Sequence, residues 1–289
     1  MKGQDSFQRF LFEELGIRGE WVRLQDSWQE AKQYQRLTDT VQEQLGQALA
    51  AVVLLSATIK FDGSLILQAQ GTGALKTLVA QSTYDRKIRG LARCDGEVTN
   101  GLLSEMMGEG RLVITIQPKK GEPYQGIVSL EGDKLADVII RYFLQSEQLE
   151  TQVWLFANET HAAGLLLQEL PAQENFKADW ERISTLASTV TKDEMLNLDS
   201  EEILYRLFNE EKVKLFDAEP VVFECSCSRK KIESTLVAMG REELEGILQE
   251  VSLIDIACEF CGKKYSFDNV DVENMLSGQP LEKPSQTHH

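Results

Sequence analysis

The stretch that decides how this chain is organised extends from residue 225 to residue 261. It begins with Cys225-Ser226-Cys227, continues through thirty residues and ends with Cys258-Glu259-Phe260-Cys261. Four of the five cysteines therefore lie in two close pairs. Zn²⁺ prefers four tetrahedral ligands, and thiolates are among the ligands that it favours. The spacing predicts that one zinc ion is held by the sulfurs of Cys225, Cys227, Cys258 and Cys261.

The second cysteine pair has the sequence context of a zinc-knuckle hairpin. Ile254 and Ile256 predict a short strand before it, and Tyr265 and Phe267 alternate in a strand after it. Gly262 stands where a tight turn needs positive φ, and we expect the turn amides to donate to the sulfurs. Basic residues beside the cysteines are expected to offset the charge of a tetrathiolate zinc: Arg229, Lys230, Lys231, Lys263 and Lys264.

Two other interpretations of the cysteines stay open at this point. A purely structural zinc site is the common case, and zinc alone then decides nothing about function. A thioredoxin-like redox motif is the second alternative, but that motif normally opens a helix beside a βαβ unit. Residues 262–267 are instead typical of a returning strand.

The composition limits the class of protein and its partners. The chain has 289 residues, of which 42% are hydrophobic, and its net charge is −16. This acidity argues against nucleic acid as a partner, and five clustered cysteines do not resemble a secreted disulfide framework. The sequence contains neither an apolar signal core nor a run of about eighteen apolar residues. We therefore expect no membrane partner and a cytoplasmic protein with reduced thiols.

Residues 1–170 predict an α+β domain of mostly antiparallel sheet around one buried helix. The helix extends from about Thr40 to Thr58, and residues 48–55 are apolar on every side. Such a helix is expected to be covered by sheet on more than one side. We interpret Ile17-Arg18-Gly19-Glu20 as a turn between two strands, and residues 134–145 as a second helix. The other strands are expected at 65–70, 77–81, 88–93, 112–117, 124–130, 151–157 and 163–170.

Residues 171–224 are acidic and predict a helical linker. Thr191 and Asp199 each begin a capping-box sequence. Short helices are stable only when they pack against a neighbour, so we expect the linker to lie on another part of the protein. The narrow apolar stripes of its helices include Trp180, Ile183, Leu204, Leu207 and Phe208.

Residues 225–280 predict a small C-terminal zinc-binding module, and residues 281–289 a loose tail whose histidines we exclude from metal binding. A module of this size has too little core to fold without a staple, that is, a structural metal or a disulfide that holds its segments together. Zinc binding contributes about 10–16 kcal/mol to the folding of such modules.

The sequence predicts no catalytic residue. Gly71-Thr72-Gly73 lacks the later glycine and the lysine of a phosphate-binding loop and is typical of a hairpin turn. His161 lies in an expected loop, where no nucleophile and orienting group can be assembled around it. Cys94 stands apart from the other cysteines, and we interpret it as a small buried thiol that takes no part in redox switching.

The chain resembles the heat shock protein 33 family of redox-regulated bacterial chaperones over essentially its whole length. Beside the four cysteines, the resemblance rests on glycine-containing motifs: Ile17-Arg18-Gly19-Glu20, Lys60-Phe61-Asp62-Gly63, Tyr124-Gln125-Gly126 and Leu130-Glu131-Gly132-Asp133. It implies a holdase that needs no ATP and is inactive while its cysteines bind zinc. Oxidants would form the disulfides Cys225–Cys227 and Cys258–Cys261 and release zinc. The module and linker would then unfold, and the active protein would bind unfolding clients as a homodimer.

The chemistry of the residues fits this implied function independently. Thiolates rather than thiols react with oxidants, and zinc keeps its cysteine ligands deprotonated. Oxidation therefore removes both the ligands and the folding free energy of a module that is too small to fold alone. Two other functions remain as alternatives, a constitutive zinc-stapled interaction protein and a thiol-disulfide oxidoreductase.

Overall fold

The computed structural model describes residues 5–58, 62–170 and 176–277. The chain divides into two compact units, residues 1–224 and residues 225–289. The expected tail at 281–289 lies outside the described residues, as do Lys60 and Phe61 of the quoted motif and residues 171–175 of the expected linker.

The first unit is built around helix α2 (Asp39–Ala57), which follows the shorter α1 (Asp26–Lys32). All eight residues from Ala48 to Leu55 are buried. A helix without a polar face has to be enclosed on all sides, and α2 contacts strands of both large sheets of the unit. The predicted buried helix is thus confirmed. Within the described residues, no helix has both the length and the apolarity needed to cross a bilayer.

The first sheet is antiparallel throughout its described strands. Its order is β10-β1-β2-β9-β8, and β11 also pairs with β1. The strands are β1 (Ser6–Phe12), β2 (Ile17–Leu24), β8 (Thr151–Ala157), β9 (Ala162–Glu169), β10 (Val213–Leu215) and β11 (Glu219–Pro220).

The interpretation of Ile17–Glu20 as a turn is wrong, because these residues form the first half of β2. The chain reverses between the end of β1 and the start of β2, where Glu14 and Gly16 have φ of 73° and 65°. Gly19 is needed for a different reason: it pairs with Phe10 across the two strands, and the ring of Phe10 lies where a side chain on Gly19 would stand. A close approach between ring and backbone, rather than a turn, accounts for this glycine.

The second sheet has the order β12-β5-β4-β3-β6-β7. Its described strand pairs are antiparallel except β12 with β5, which is parallel. Gly71-Thr72-Gly73 lies in the hairpin between β3 and β4, as predicted. The strands are β3 (Gly63–Gly71), β4 (Leu75–Thr83), β5 (Lys87–Cys94), β6 (Gly110–Pro118), β7 (Tyr124–Ser129) and β12 (Val222–Phe223).

Two further helical segments complete this part of the unit. Helix α3 (Leu103–Met107) precedes β6, and α4 (Leu135–Tyr142) follows β7. A π-helical turn, Phe143–Glu147, extends α4 to approximately the length predicted for the second helix. The predicted α+β class, with mostly antiparallel sheet around a buried helix, is confirmed.

The linker helices cover the outer face of the first sheet and form a second core with it. They are α5 (Phe176–Ala187), α6 (Lys192–Asn197) and α7 (Ser200–Phe208). The predicted capping boxes are present at Thr191 and Asp199. The ring of Phe208 contacts that of Phe12, with centroids 4.9 Å apart and an interplanar angle of 88°. The sheet side of this core consists of Phe10, Phe12, Ile17, Trp21, Ala163, Leu165 and Leu167.

The linker also contributes strands, which the helical prediction missed. β10 and β11 pair with β1, and β12 pairs with β5. Arg9 and Arg86 both form ion pairs with Glu219 of β11, at 2.6 and 3.3 Å. These strands have two or three residues each, too few to show alternation in sequence. Their conformation comes from the edges of β1 and β5 to which they are bonded.

The second unit is small. Its elements are α8 (Arg229–Met239), α9 (Arg241–Glu250), β13 (Ile254–Ala257), β14 (Lys264–Phe267) and α10 (Asn269–Ser277). Within its described residues, the buried apolar core comprises six side chains: Leu236, Leu244, Ile254, Tyr265, Phe267 and Val272. A core of this size agrees with the expectation that the module needs a staple.

Gly19→Ala should destabilise the first unit, because the new methyl group overlaps the Phe10 ring. Overpacking of this kind costs about 1–3 kcal/mol. Urea unfolding followed by tryptophan fluorescence measures it, since Trp21, Trp28, Trp154 and Trp180 all lie in this unit. The control is Gly246→Ala in α9 of the second unit, where the methyl group meets nothing within 4 Å outside its own helix, and it should leave this transition of the first unit unchanged. Unchanged stability of Gly19→Ala would contradict the assigned role of the Phe10 ring.

Candidate metal centre

The four cysteines of the second unit converge on one point. Cys225 and Cys227 lie in the segment before α8, and Cys258 and Cys261 lie in the hairpin between β13 and β14. The Sγ atoms all lie within 4.8 Å of one another. Sγ of Cys225 is 3.7 Å from that of Cys258, and Sγ of Cys227 is 3.5 Å from that of Cys261. All five cysteines of the chain are in the described region, and none forms a disulfide.

The hairpin has the predicted knuckle geometry. The Cys258 amide donates to the carbonyl of Lys263 at 2.9 Å, and the Gly262 amide donates to the carbonyl of Cys258 at 2.7 Å. Gly262 has φ of 66°, a conformation that glycine adopts without strain. Ser228 caps α8 by accepting a hydrogen bond from the Lys231 amide, so the helix begins directly after the first cysteine pair.

The donor set fits a four-coordinate metal. Zn–S bonds of about 2.3 Å place the sulfurs of a regular tetrahedron about 3.8 Å apart, whereas bonded disulfide sulfurs are about 2.05 Å apart. The two sulfur–sulfur distances of 3.5 and 3.7 Å match the tetrahedron. Four sulfurs would occupy every position of such a site and leave none for a substrate, as in structural rather than catalytic centres.

The thiols do not ionise alike. Burial opposes the ionisation of Cys227, but hydrogen bonds from Tyr265 and the neighbouring thiols lower its pKa to about 7. The Oη atom of Tyr265 donates to Sγ of Cys227 at 3.2 Å. Burial raises the pKa of Cys258 and raises that of Cys261 to about 12. Without a metal, Cys227 therefore ionises at a lower pH than Cys258 and Cys261.

Backbone amides donate to the sulfurs of the hairpin, as predicted. The amides of Phe260 and Cys261 act on Cys258, and the amide of Lys263 acts on Cys261; each contact favours the thiolate. The Tyr265 hydroxyl was missed as a donor, because Tyr265 was interpreted only as an alternating strand residue. The sequence did offer a signal: Tyr265 lies on the same buried face of β14 as Phe267, where a hydroxyl group needs a hydrogen-bond partner.

Among the predicted basic residues, Arg229, Lys231 and Lys263 have structural partners, and Nζ of Lys263 lies 5.5 Å from the centroid of the Tyr265 ring. Arg229 pairs with Asp271 at 2.7 Å and with Glu233 at 3.2 Å, and its guanidinium lies 4.3 Å from the centroid of the Phe267 ring. It thereby joins α8 to β14 and α10. Lys231 donates to the carbonyl of Ser226 at 2.7 Å, which fixes the residue between the first two cysteines.

The interpretation of Cys94 as a buried thiol is wrong. Its side chain is exposed at the end of β5, where the strand leaves the core. Partial desolvation still raises the pKa of the thiol above its usual value, so the thiol stays protonated at neutral pH. Cys94 does not belong to the four-cysteine cluster.

His161 lies in the predicted loop, directly before β9. Its Nε2 is 3.1 Å from Oε1 of Gln25, and its Nδ1 is 2.9 Å from Oγ1 of Thr160. The Asn158 side chain accepts hydrogen bonds from the amides of Thr160 and His161. These contacts fix a turn between two strands and do not assemble a nucleophile with its base.

Comparison with known proteins places the chain among chaperones. A family model described as Hsp33 protein matches residues 5–268. A 33 kDa chaperonin from Nitrosococcus oceani is 57% identical over 289 residues, covering 100% of both chains. A 33 kDa chaperonin from Pseudomonas aeruginosa is 44% identical over 297 residues, also covering 100% of both.

The fold is shared with a solved structure. The crystal structure of the 33 kDa chaperonin (heat shock protein 33 homolog) from Thermotoga maritima matches with a TM-score of 0.80. It is 22% identical in sequence, and the match covers 94% of this chain and 98% of that one.

Proposed function

Because the chain belongs to the Hsp33 family of chaperones, we propose that it is a redox-regulated holdase that works without ATP in the cytoplasm. As a chaperone and not an enzyme, it binds unfolded client proteins. The observation that carries the redox proposal is the convergence of four sulfurs within 4.8 Å in a unit with a core of six described side chains. We expect neither nucleic acid nor membrane to be a partner of this acidic chain.

The resting state holds one Zn²⁺ through Cys225, Cys227, Cys258 and Cys261. All-sulfur donors in a closed tetrahedral arrangement suit zinc, which when bound supplies about 10–16 kcal/mol of folding free energy to such modules. Binding requires Cys258 and Cys261 to lose their protons, and burial raises the pKa of both. The affinity for zinc should therefore rise with pH.

Tyr265→Phe should weaken zinc binding about tenfold or more, because the variant loses the hydroxyl that donates to Cys227. Loss of a hydrogen-bond partner of a metal ligand typically costs about 10–100-fold in affinity. The ring, which belongs to the core of the unit, is retained. Competition with a chelator in reducing buffer measures the effect, with Tyr205→Phe as the control at an exposed position. Equal affinities of the wild type and Tyr265→Phe would contradict the assigned hydrogen bond.

Oxidation converts the four ligands into two disulfides. For each pair, two zinc-bound thiolates, one hypochlorite ion and two protons from water give a disulfide, chloride and water. The oxidant accepts the two electrons, and the zinc ion is released. We assign the pairs Cys225–Cys227 and Cys258–Cys261. These disulfides close loops of one and two residues and cross-link nothing else, so the unit loses its staple. Disulfides from Cys225 to Cys258 and from Cys227 to Cys261 would close loops of about thirty residues and stabilise the fold instead.

Release of the linker then creates the client surface. Its last strand, β12, ends at Phe223, two positions before Cys225. We propose that the linker keeps its place only while the second unit is folded. Its departure uncovers the outer face of the first sheet, where Phe10, Phe12, Ile17 and Trp21 have at most 1% exposure. An apolar patch of this kind binds the apolar segments of unfolding proteins.

Phe208→Ser should make the chaperone active in reducing buffer with zinc bound. Phe208 is 2% exposed and packs on Phe12, and removal of a buried phenylalanine side chain costs about 3–5 kcal/mol. Polar substitution of Leu207 should act in the same direction. Suppression of aggregation of a thermally unfolding client measures the activity. Tyr205→Ser on the same helix, where the side chain is 73% exposed, is the control. An inactive, zinc-loaded Phe208→Ser protein would contradict the proposed role of the linker.

The proposed function is tested by oxidising the zinc-loaded protein while zinc release and client aggregation are followed together. We expect both to change with the same time course, and we expect Cys94→Ala to behave as the wild type. Peptide mapping without reductant identifies the disulfides, and sedimentation follows the expected formation of a homodimer. Activity with zinc retained would favour a constitutive interaction protein. Turnover of a disulfide substrate would favour an oxidoreductase.

A further inference from the structure

We propose that the released edge of β1 binds clients directly, by pairing with an extended client segment as an added strand. The inference rests on the proposed release of the linker and names the chemistry that the freed surface recognises. In the resting protein this edge is occupied by strands β10 and β11. An unfolded polypeptide offers the same extended backbone and takes their place.

The hydrogen bonds show which groups of β1 become free. The Phe216 amide donates to the carbonyl of Arg9 at 2.9 Å, and the Glu13 amide donates to the carbonyl of Lys212 at 3.0 Å. In an antiparallel pair the bonded residues alternate, so Leu11, midway between Arg9 and Glu13, also directs its backbone groups toward β10. Phe10 and Phe12 direct theirs toward β2. Further along, the Val221 amide donates to the carbonyl of Asp5 at 3.4 Å, so the alternation directs Phe7 toward β11.

The edge remains in place when the linker leaves. All seven residues of β1 are paired with β2, from Ser6 with Arg23 to Phe12 with Ile17. The carboxylate of Asp5 accepts hydrogen bonds from the amides of Asp26 at 3.0 Å and Ser27 at 2.6 Å. These contacts lie within residues 5–32 and include no linker residue. Release therefore leaves an ordered strand with unpaired groups along one side, which is a template for another strand.

The edge of β5 in the second sheet is also covered, by strand β12 and by one side chain. β12 pairs with β5 as far as Ile88, whose carbonyl accepts from the Glu224 amide at 3.0 Å. Beyond that point the side chain of Gln35 takes over. Its Nε2 donates to the carbonyl of Gly90 and its Oε1 accepts from the amide of Ala92, both at 3.0 Å. Gln35 lies outside the linker and keeps this part of β5 covered, so β1 is the longer edge to open.

The β1 edge adjoins the apolar face that the linker uncovers. A strand added beside Phe10 and Phe12 would place alternate side chains against that face, as the linker residues Leu215 and Val213 now do through their pairing with Phe10 and Phe12. In recognition by strand addition, main-chain hydrogen bonds give affinity and alternate side chains meet the adjoining surface. Main-chain hydrogen bonds do not depend on the side chains of the client. They therefore suit a chaperone whose clients share an unfolded backbone rather than a sequence.

Amide hydrogen exchange read residue by residue tests the proposal. The probe client is a carboxymethylated, permanently unfolded protein. The Leu11 amide should exchange slowly in the zinc-bound protein, at least tenfold faster after oxidation, and slowly again when the client binds. The Phe10 and Phe12 amides, bonded to β2, should stay slow throughout. Client binding with a fast Leu11 amide would overturn the proposal. A Leu11 amide that stays slow after oxidation would instead overturn the release of the linker, on which the proposal rests.

A pair of proline variants tests the same point by affinity. Leu11→Pro removes a donor from the β1 edge, and we expect at least a fivefold loss of client affinity in the oxidised protein. The control is Ile127→Pro on β7. Among the described strands, β7 forms the edge of the second sheet that lies at the other end from β12. The Leu130 amide donates to the carbonyl of Gly110 at 3.0 Å, so the alternation directs the Ile127 amide away from β6. Equal affinities of the two variants would show that apolar contact alone holds the client and would overturn the proposal.

Discussion

The first sheet is apolar on both faces, and the rest of the molecule is organised by the need to cover them. The inner face packs on α2, and nothing about that contact depends on the redox state of a cysteine. The outer face, with Phe10, Phe12, Ile17 and Trp21, is covered by the linker helices. A permanently uncovered face of this kind would aggregate. The proposed chaperone would need this face to be uncovered only under certain conditions, and its cover is a segment of short helices.

In the proposed mechanism, the folded state of the second unit decides whether the face is covered. The core of this unit comprises six described side chains, a size at which a domain is expected to need a metal or a cross-link, and four sulfurs converge where a tetrahedral metal fits. The proposed zinc site contributes about 10–16 kcal/mol, whereas whole domains are stable by only about 5–15 kcal/mol. Loss of the ligands would therefore remove a free energy comparable to the whole stability of a domain. The proposed switch needs no finely balanced equilibrium, since formation of the two disulfides would remove a free energy of the same size as the stability of a folded domain.

The sequence predicted the parts of the molecule whose chemistry is local. The cysteine spacing and Gly262 predicted the knuckle, uniform apolarity predicted the burial of α2, and Thr191 and Asp199 predicted the helix starts of the linker. The errors have non-local causes. Gly19 was interpreted as a turn residue. It is instead required because the ring of Phe10, nine residues earlier in the sequence, occupies the space that a side chain would need. The strands β10 to β12 take their conformation from edges about 135–210 residues away along the chain. The donor role of Tyr265 depends on a sulfur that only the folded hairpin brings near.

The central claim is that the linker stays folded on the first sheet only while the second unit is intact. Hydrogen exchange of the amides within α5 and α7 tests it most directly, compared between the reduced, zinc-loaded protein and the oxidised, zinc-free protein without any client. The account predicts slow exchange in the first state and exchange close to that of an unstructured chain in the second, while the amides of α2 remain slow in both. Slow exchange in α5 and α7 after complete oxidation, in a protein that has become an active chaperone, would contradict it.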